Sequence, residues 1–197
     1  MRWTAPAATG ALIFDCNGTL ADTMPTHYQA WLTMLDGYGI AFGEQRFYAL
    51  AGMPSDRIIE LLSQESGVDV TDVTAMVDHK ESLYVDSVEA VKRVDVVCEI
   101  VLRYRGQLPL AVASGSQRAV VTSTLAAIGL ADAFDAVVCS EDTERHKPEP
   151  DVFLEAARLM GVAPTSCIVF EDSELGLEAA RRAGMGGVDI RPWIGLT

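Results

Sequence analysis

Apolar residues along this chain fall into two alternating patterns. Short continuous runs bounded by turn-forming residues occupy 11–15 (ALIFD), 108–114 (LPLAVAS), 136–139 (AVVC), 167–172 (CIVFED) and 187–190 (GVDI). Runs that do not alternate with polar residues predict strands covered on both faces. Between them, 119–128, 151–160 and 175–183 space their apolar residues as helices do. Gly129, Gly161 and Gly184 follow these three stretches, and glycine is the residue favoured where a helix ends in a left-handed turn. Strands alternating with helices predict an α/β fold: a Rossmann-like parallel sheet with helices on both faces.

The alternation stops between about Pro25 and Val101. Only helical segments stand out there, at 27–35, 55–65 and 73–85, with no strand pattern. This predicts an all-helical cap inserted after the first strand, leaving the sheet near Thr23 and returning near Val91. The expected division is 1–23 and 91–197 for the α/β core and 24–90 for the cap.

Charge and composition narrow the function classes. The 197 residues carry 28 acidic and 15 basic side chains, a net charge of −13, which argues against nucleic acid or an anionic membrane surface as partner. No apolar run reaches the length of a membrane span, and the first residues do not read as a signal peptide. Cys16, Cys98, Cys139 and Cys167 form no CxxC pair, and buried free thiols are the expectation. A cytoplasmic protein is the default.

In open α/β sheets ligands bind beyond the carboxyl ends of the strands. Those ends read Asp15-Cys16-Asn17-Gly18-Thr19, Ser114-Gly115-Ser116 and Glu171-Asp172-Ser173, with His146-Lys147-Pro148 in the loop after the third strand. Carboxylates, a hydroxyl, backbone amides and one lysine at a single edge suit phosphoryl transfer. Magnesium takes hard oxygen ligands, which Asp15 and Asp172 supply with Glu171 in reserve. Asp15 is also a candidate nucleophile. Lys147 and Ser114 are placed to hold phosphate oxygens, and the helix starting near Gln117 to aim free amides at them. There is no G-x-S-x-G elbow and no Walker glycine loop.

These four segments, in order and spacing, resemble the signature motifs of the haloacid dehalogenase superfamily over nearly the whole chain. The stretch 138–185 resembles the branch holding β-phosphoglucomutase and the small sugar phosphatases. The segments DSVEAV and RVDVV, the HKPEP loop and the ending VDIRP are most similar to fructose-1-phosphate or 6-phosphogluconate phosphatases. The resemblance implies a magnesium-dependent phosphatase of a small phosphorylated sugar. It makes Asp15 the nucleophile and a metal ligand, Asp172 a second ligand and the Asn17 carbonyl a third. Ser114, Gly115, Ser116 and Lys147 then bind phosphate. Thr23, His27 and Trp31, at i, i+4 and i+8, match residues lining the substrate cavity, as do Gly52 and Lys80. Trp31 equally suits a core position and Lys80 a solvated one; His79 reads as surface.

One position departs from the family pattern DxDGT. Its second carboxylate is the general acid/base, and here it is Asn17, whose amide cannot shuttle a proton at neutral pH. A slow enzyme, one using another base (His27 first), an introduced change that stalls the reaction and a non-catalytic sugar-phosphate binder all remain open. The mutase alternative is weakened by Ser55, which stands where the mutase pattern has arginine; Arg57 comes later.

Overall fold

The computed structural model describes residues 3–50 and 53–195. Five parallel strands form the main sheet: β1 (Ala11–Phe14), β4 (Leu110–Ala113), β5 (Ala136–Val138), β6 (Cys167–Glu171) and β7 (Gly186–Asp189), in the order β5-β4-β1-β6-β7. Two further strands, β2 (Ala21–Asp22) and β3 (Lys92–Arg93), pair antiparallel. The helices are α1 (Met24–Asp36), α2 (Glu44–Ala49), α3 (Ser55–Ser66), α4 (Val73–Asp86), α5 (Asp95–Tyr104), α6 (Arg118–Ala127), α7 (Asp151–Met160), α8 (Glu174–Arg182) and α9 (Arg191–Ile194).

Side chains alternate across the sheet, so each continuous apolar run serves two cores. Leu12 and Phe14 of β1, with Leu110 and Val112 of β4, pack against α5 and α6 through Val97, Val101, Val120 and Leu125. Ala11, Ile13, Ala111 and Ala113 face the other way, onto Val152 and Phe153 of α7 and Ala179 and Ala180 of α8. The small residues on this second face let α7 and α8 approach closely. Gly129, Gly161 and Gly184 all take positive φ, at 73°, 67° and 72°, as their place after a helix requires.

Helices α1–α4 lie between β2 and β3 and share an apolar cluster that includes Trp31, Met34, Phe42, Phe47, Ile59 and Met76. Asp72 caps α4 by accepting from the Ala75 amide at 2.9 Å. The far end of α4 is tied to α6, where the Tyr84 hydroxyl and Thr124 Oγ1 are 2.8 Å apart. The expectation of no strand between Pro25 and Val101 is corrected by β3. Two residues, both exposed, are too few to show a period. Among the described residues no helix is long and apolar enough to cross a membrane.

Candidate active site

Parallel strands align their carboxyl ends, so the residues after β1, β4 and β6 arrive together. Asp15 continues the β1 ladder by donating its amide to Phe170 O at 3.0 Å, and Ser114 donates to Val138 O at 2.9 Å. From the loop after β5, Lys147 places Nζ 2.7 Å from Asp15 Oδ1 and 2.9 Å from Glu171 Oε2, buried with both.

Each carboxylate is fixed by a neighbour. Glu171 Oε1 accepts from the Ser173 amide at 3.1 Å and the Ser173 hydroxyl at 2.6 Å. Its side chain lies across Gly176, where an added Cβ would sit 2.1 Å from Glu171 Cδ. Asp172 Oδ1 accepts from Thr19 Oγ1 at 2.7 Å. Asp172 also crosses Gly18, whose φ is +85° and whose Cβ, if present, would lie 2.2 Å from Asp172 Oδ2. Asp172 does not cap α8; Ser173 does, accepting from the Gly176 amide at 3.0 Å.

One ammonium thus faces three carboxylates. Asp15, Glu171 and Asp172 each offer an oxygen, all within 4.8 Å of one another. Burial, then the Glu171 charge, holds Asp15 well above the usual carboxylate range and pushes Asp172 up to about 7. Burial works against the Lys147 charge, but Asp15 and Glu171 outweigh it and raise its pKa. Hard oxygen donors with a surplus of negative charge fit a magnesium ion.

Opposite these acids, Asn17 Nδ2 donates to Ser116 Oγ at 2.7 Å, while Asn17 Oδ1 is buried without a partner among the described residues. The Ser116 amide donates to Ser114 Oγ at 3.2 Å. One of the amides expected to be free at the start of α6 is engaged. The Glu141 carboxylate accepts from the Arg118 amide at 2.9 and 3.1 Å and takes that donor away.

The acids open into a cavity of about 440 Å³ whose far wall comes from α1, α3 and α4. There Lys80 Nζ is 3.0 Å from His27 Nδ1, 2.9 Å from Glu81 Oε1 and 5.5 Å from the Trp31 ring centroid. The His27 ring stacks on Tyr84, with centroids 3.9 Å apart. Burial, helped by the Lys80 charge, drives the His27 pKa well below its usual value. A neutral His27 whose Nδ1 accepts from an ammonium carries its proton on Nε2.

A model of the family described as haloacid dehalogenase-like hydrolase matches residues 12–189. The chain belongs to that family. It is 44% identical over 184 residues to the fructose-1-phosphate phosphatase YqaB of Escherichia coli (strain K12), covering 91% of this chain and 95% of that protein. Similarity of that extent makes this haloacid dehalogenase-like hydrolase a phosphoric monoester hydrolase. It is 26% identical over 188 residues to β-phosphoglucomutase of Bacillus subtilis (strain 168), covering 91% of this chain and 82% of the mutase. CbbY from Rhodobacter sphaeroides, crystallised with phosphate, shares the fold, with a TM-score of 0.84 at 22% identity over 91% of this chain and 84% of that one.

Most residues singled out from the sequence of this hydrolase line one cavity. Asp15, Asn17, Ser114, Gly115, Ser116, Lys147, Glu171 and Asp172 stand on the sheet side, and His27, Trp31 and Lys80 on the helical side. Lys80 is buried, not solvated, and Trp31 is both cavity wall and core. Thr23 is the exception: it is fully buried, its hydroxyl has no partner among the described residues, and it does not line the cavity. Gly52 lies outside the described residues. Arg57 stays at the surface, paired with Glu60 at 2.9 Å. Sequence reasoning missed the parts played by Thr19, Ser173, Glu141 and Glu81. Thr19 sits inside the first motif and Ser173 directly after the last, so proximity was their signal. Glu81 and Glu141 carried none.

Proposed function

We propose that this hydrolase is a magnesium-dependent phosphatase of small sugar phosphates that takes the phosphoryl group onto Asp15 and works slowly because of Asn17. The observation that carries this is Asp15, paired with Lys147 at 2.7 Å, at the floor of a cavity walled by helices. Lys147 favours the ionised form of Asp15 against its burial and offers its remaining donors to an equatorial phosphate oxygen. Ser114 and Ser116 supply hydroxyls and Gly115 an amide on the other side. Asp15 Oδ attacks phosphorus, the ester P–O bond breaks, and the leaving alkoxide needs a proton. Water then attacks the aspartyl-phosphate and must give one up.

Both proton transfers fall to a group beside Asp15, where Asn17 supplies an amide that neither gives nor takes a proton at neutral pH. His27 is a poor substitute base, since burial beside Lys80 disfavours the protonated ring that taking up a proton would create. Asp15, Asp172 and the Asn17 main-chain carbonyl are the residues that would hold magnesium, with Glu171 anchoring Lys147 beside them. Bound there, the ion offsets the repulsion between carboxylates and phosphate.

Helices α1–α4 act in this reading as a lid over the sugar, hinged near Thr23 and Val91. The name of the Escherichia coli relative makes fructose 1-phosphate the first ester to try. Arg57 lies at the surface and Ser55 bonds Glu81, so no arginine is offered to a second phosphate, which counts against the mutase reading. Asn17 itself favours one other reading, a sugar-phosphate binder without turnover. Phosphate release from a panel of sugar phosphates, with and without chelator, tests the proposal. Release that ignores magnesium, or none from any ester even with Asn17→Asp, contradicts it.

A further inference from the structure

We propose that Glu81 reads the hydroxyl-bearing end of the substrate and turns away esters carrying a second phosphate. This deepens the sugar-phosphate reading and rests on it. Glu81, on α4, is buried at the cavity wall. Its Oε1 is fixed twice, accepting from Lys80 Nζ at 2.9 Å and from Ser55 Oγ at 3.2 Å. Its Oε2 is buried and has no partner among the described residues. A carboxylate only accepts hydrogen bonds, and leaving one of its oxygens buried without a donor is unfavourable. The donor it lacks is one that a ligand in the cavity brings.

The surrounding charges decide what kind of donor. Lys80 is the ammonium at this end of the cavity, and Glu81 already balances it. Asp56 and Asp78, both exposed at the mouth, line the same end, so among the described residues there one cation stands with three carboxylates. Asp15 and Lys147 lie at the opposite end, where the reacting phosphate belongs. A second phosphate at the helical end would be a dianion that only accepts, placed against acceptors of its own sign. A sugar hydroxyl is neutral and donates. The cavity is therefore polarised, with a cation-assisted phosphate end and an acceptor end for a polyol, and the selection against a second phosphate comes from repulsion.

The test is kcat/KM, with magnesium, for fructose 1-phosphate, methyl phosphate and fructose 1,6-bisphosphate. The unsubstituted chain should prefer the sugar monophosphate to both others. Glu81→Gln removes the charge and should narrow the monophosphate-to-bisphosphate ratio by about tenfold. Glu81→Asp keeps the charge but withdraws it by one methylene. It should instead narrow the sugar-to-methyl ratio by about tenfold while still rejecting the bisphosphate. A merely structural Glu81 would scale all three substrates alike, so ratios unchanged in both variants overturn the inference and leave the sugar-phosphate reading standing. An unsubstituted chain that does not distinguish fructose 1-phosphate from methyl phosphate overturns both.

Discussion

Lys147 and Asp15 form an ion pair at 2.7 Å, with side chains 6% and 9% exposed. A pair so deeply buried is costly to break, because the survivor keeps its charge without a partner. Lys147→Met leaves Asp15 and Glu171 both unpaired. It should lower stability in chelator by about 3–5 kcal/mol, seen in urea unfolding. It should also cut kcat/KM by about 10²-fold or more, the usual scale for losing a donor aimed at developing charge. Unchanged turnover would remove Lys147 from the phosphate site.

Asp15→Asn preserves shape and removes the nucleophile. It should release no phosphate under conditions where the native protein does. Acid-quenched native protein should carry the phosphoryl group on Asp15, read by mass spectrometry of its peptides, and the variant none. Turnover retained by Asp15→Asn would mean that water attacks directly.

Magnesium should stabilise this chain in a pH-dependent way. Asp172 is pushed up to about 7 and Asp15 is raised as well. Between about pH 4 and 7 Asp172 is ionised in the unfolded chain while the folded one holds its proton, and Asp15 shifts in the same direction. The folded state binds more protons, so their contribution to stability declines as pH rises through 7. A cation bound there replaces those protons. The rise in melting temperature on adding magnesium should therefore be larger at pH 8 than at pH 5. A rise of equal size at both values would contradict the acidic cluster as its site.

β1, β4 and β6 were legible because both their faces are buried. That makes 11–15 or 167–172 a continuous apolar run, and parallel alignment then turns separate motifs into one cluster. The residues after β1, β4 and β6 could thus be grouped before any contact was known. The helical wall was less legible. The His27–Lys80 contact joins positions 53 apart, and only the packing of α1 on α4 creates it. The same packing buries Glu81, an ordinary acidic residue in its sequence context. Thr23 was misplaced because helical spacing from His27 and Trp31 gives a shared face but not its depth. That the first of the α6 amides is taken was hidden for a similar reason, since Glu141 reaches it from 23 positions away.

Asn17 carries the central claim that an otherwise complete site lacks only its proton-transfer group. Its Nδ2 donates to Ser116 Oγ at 2.7 Å, and a carboxylate there could accept from the same hydroxyl once that rotor turns. Asn17→Asp should therefore be accommodated without rearrangement. The direct measurement is steady-state phosphate release from fructose 1-phosphate by the native protein and by Asn17→Asp, both with magnesium. Restoring the carboxylate should raise kcat by about 10²-fold or more and leave KM nearly unchanged, because the recovered interaction belongs to the transition state. A kcat that Asn17→Asp leaves where it was would contradict the account.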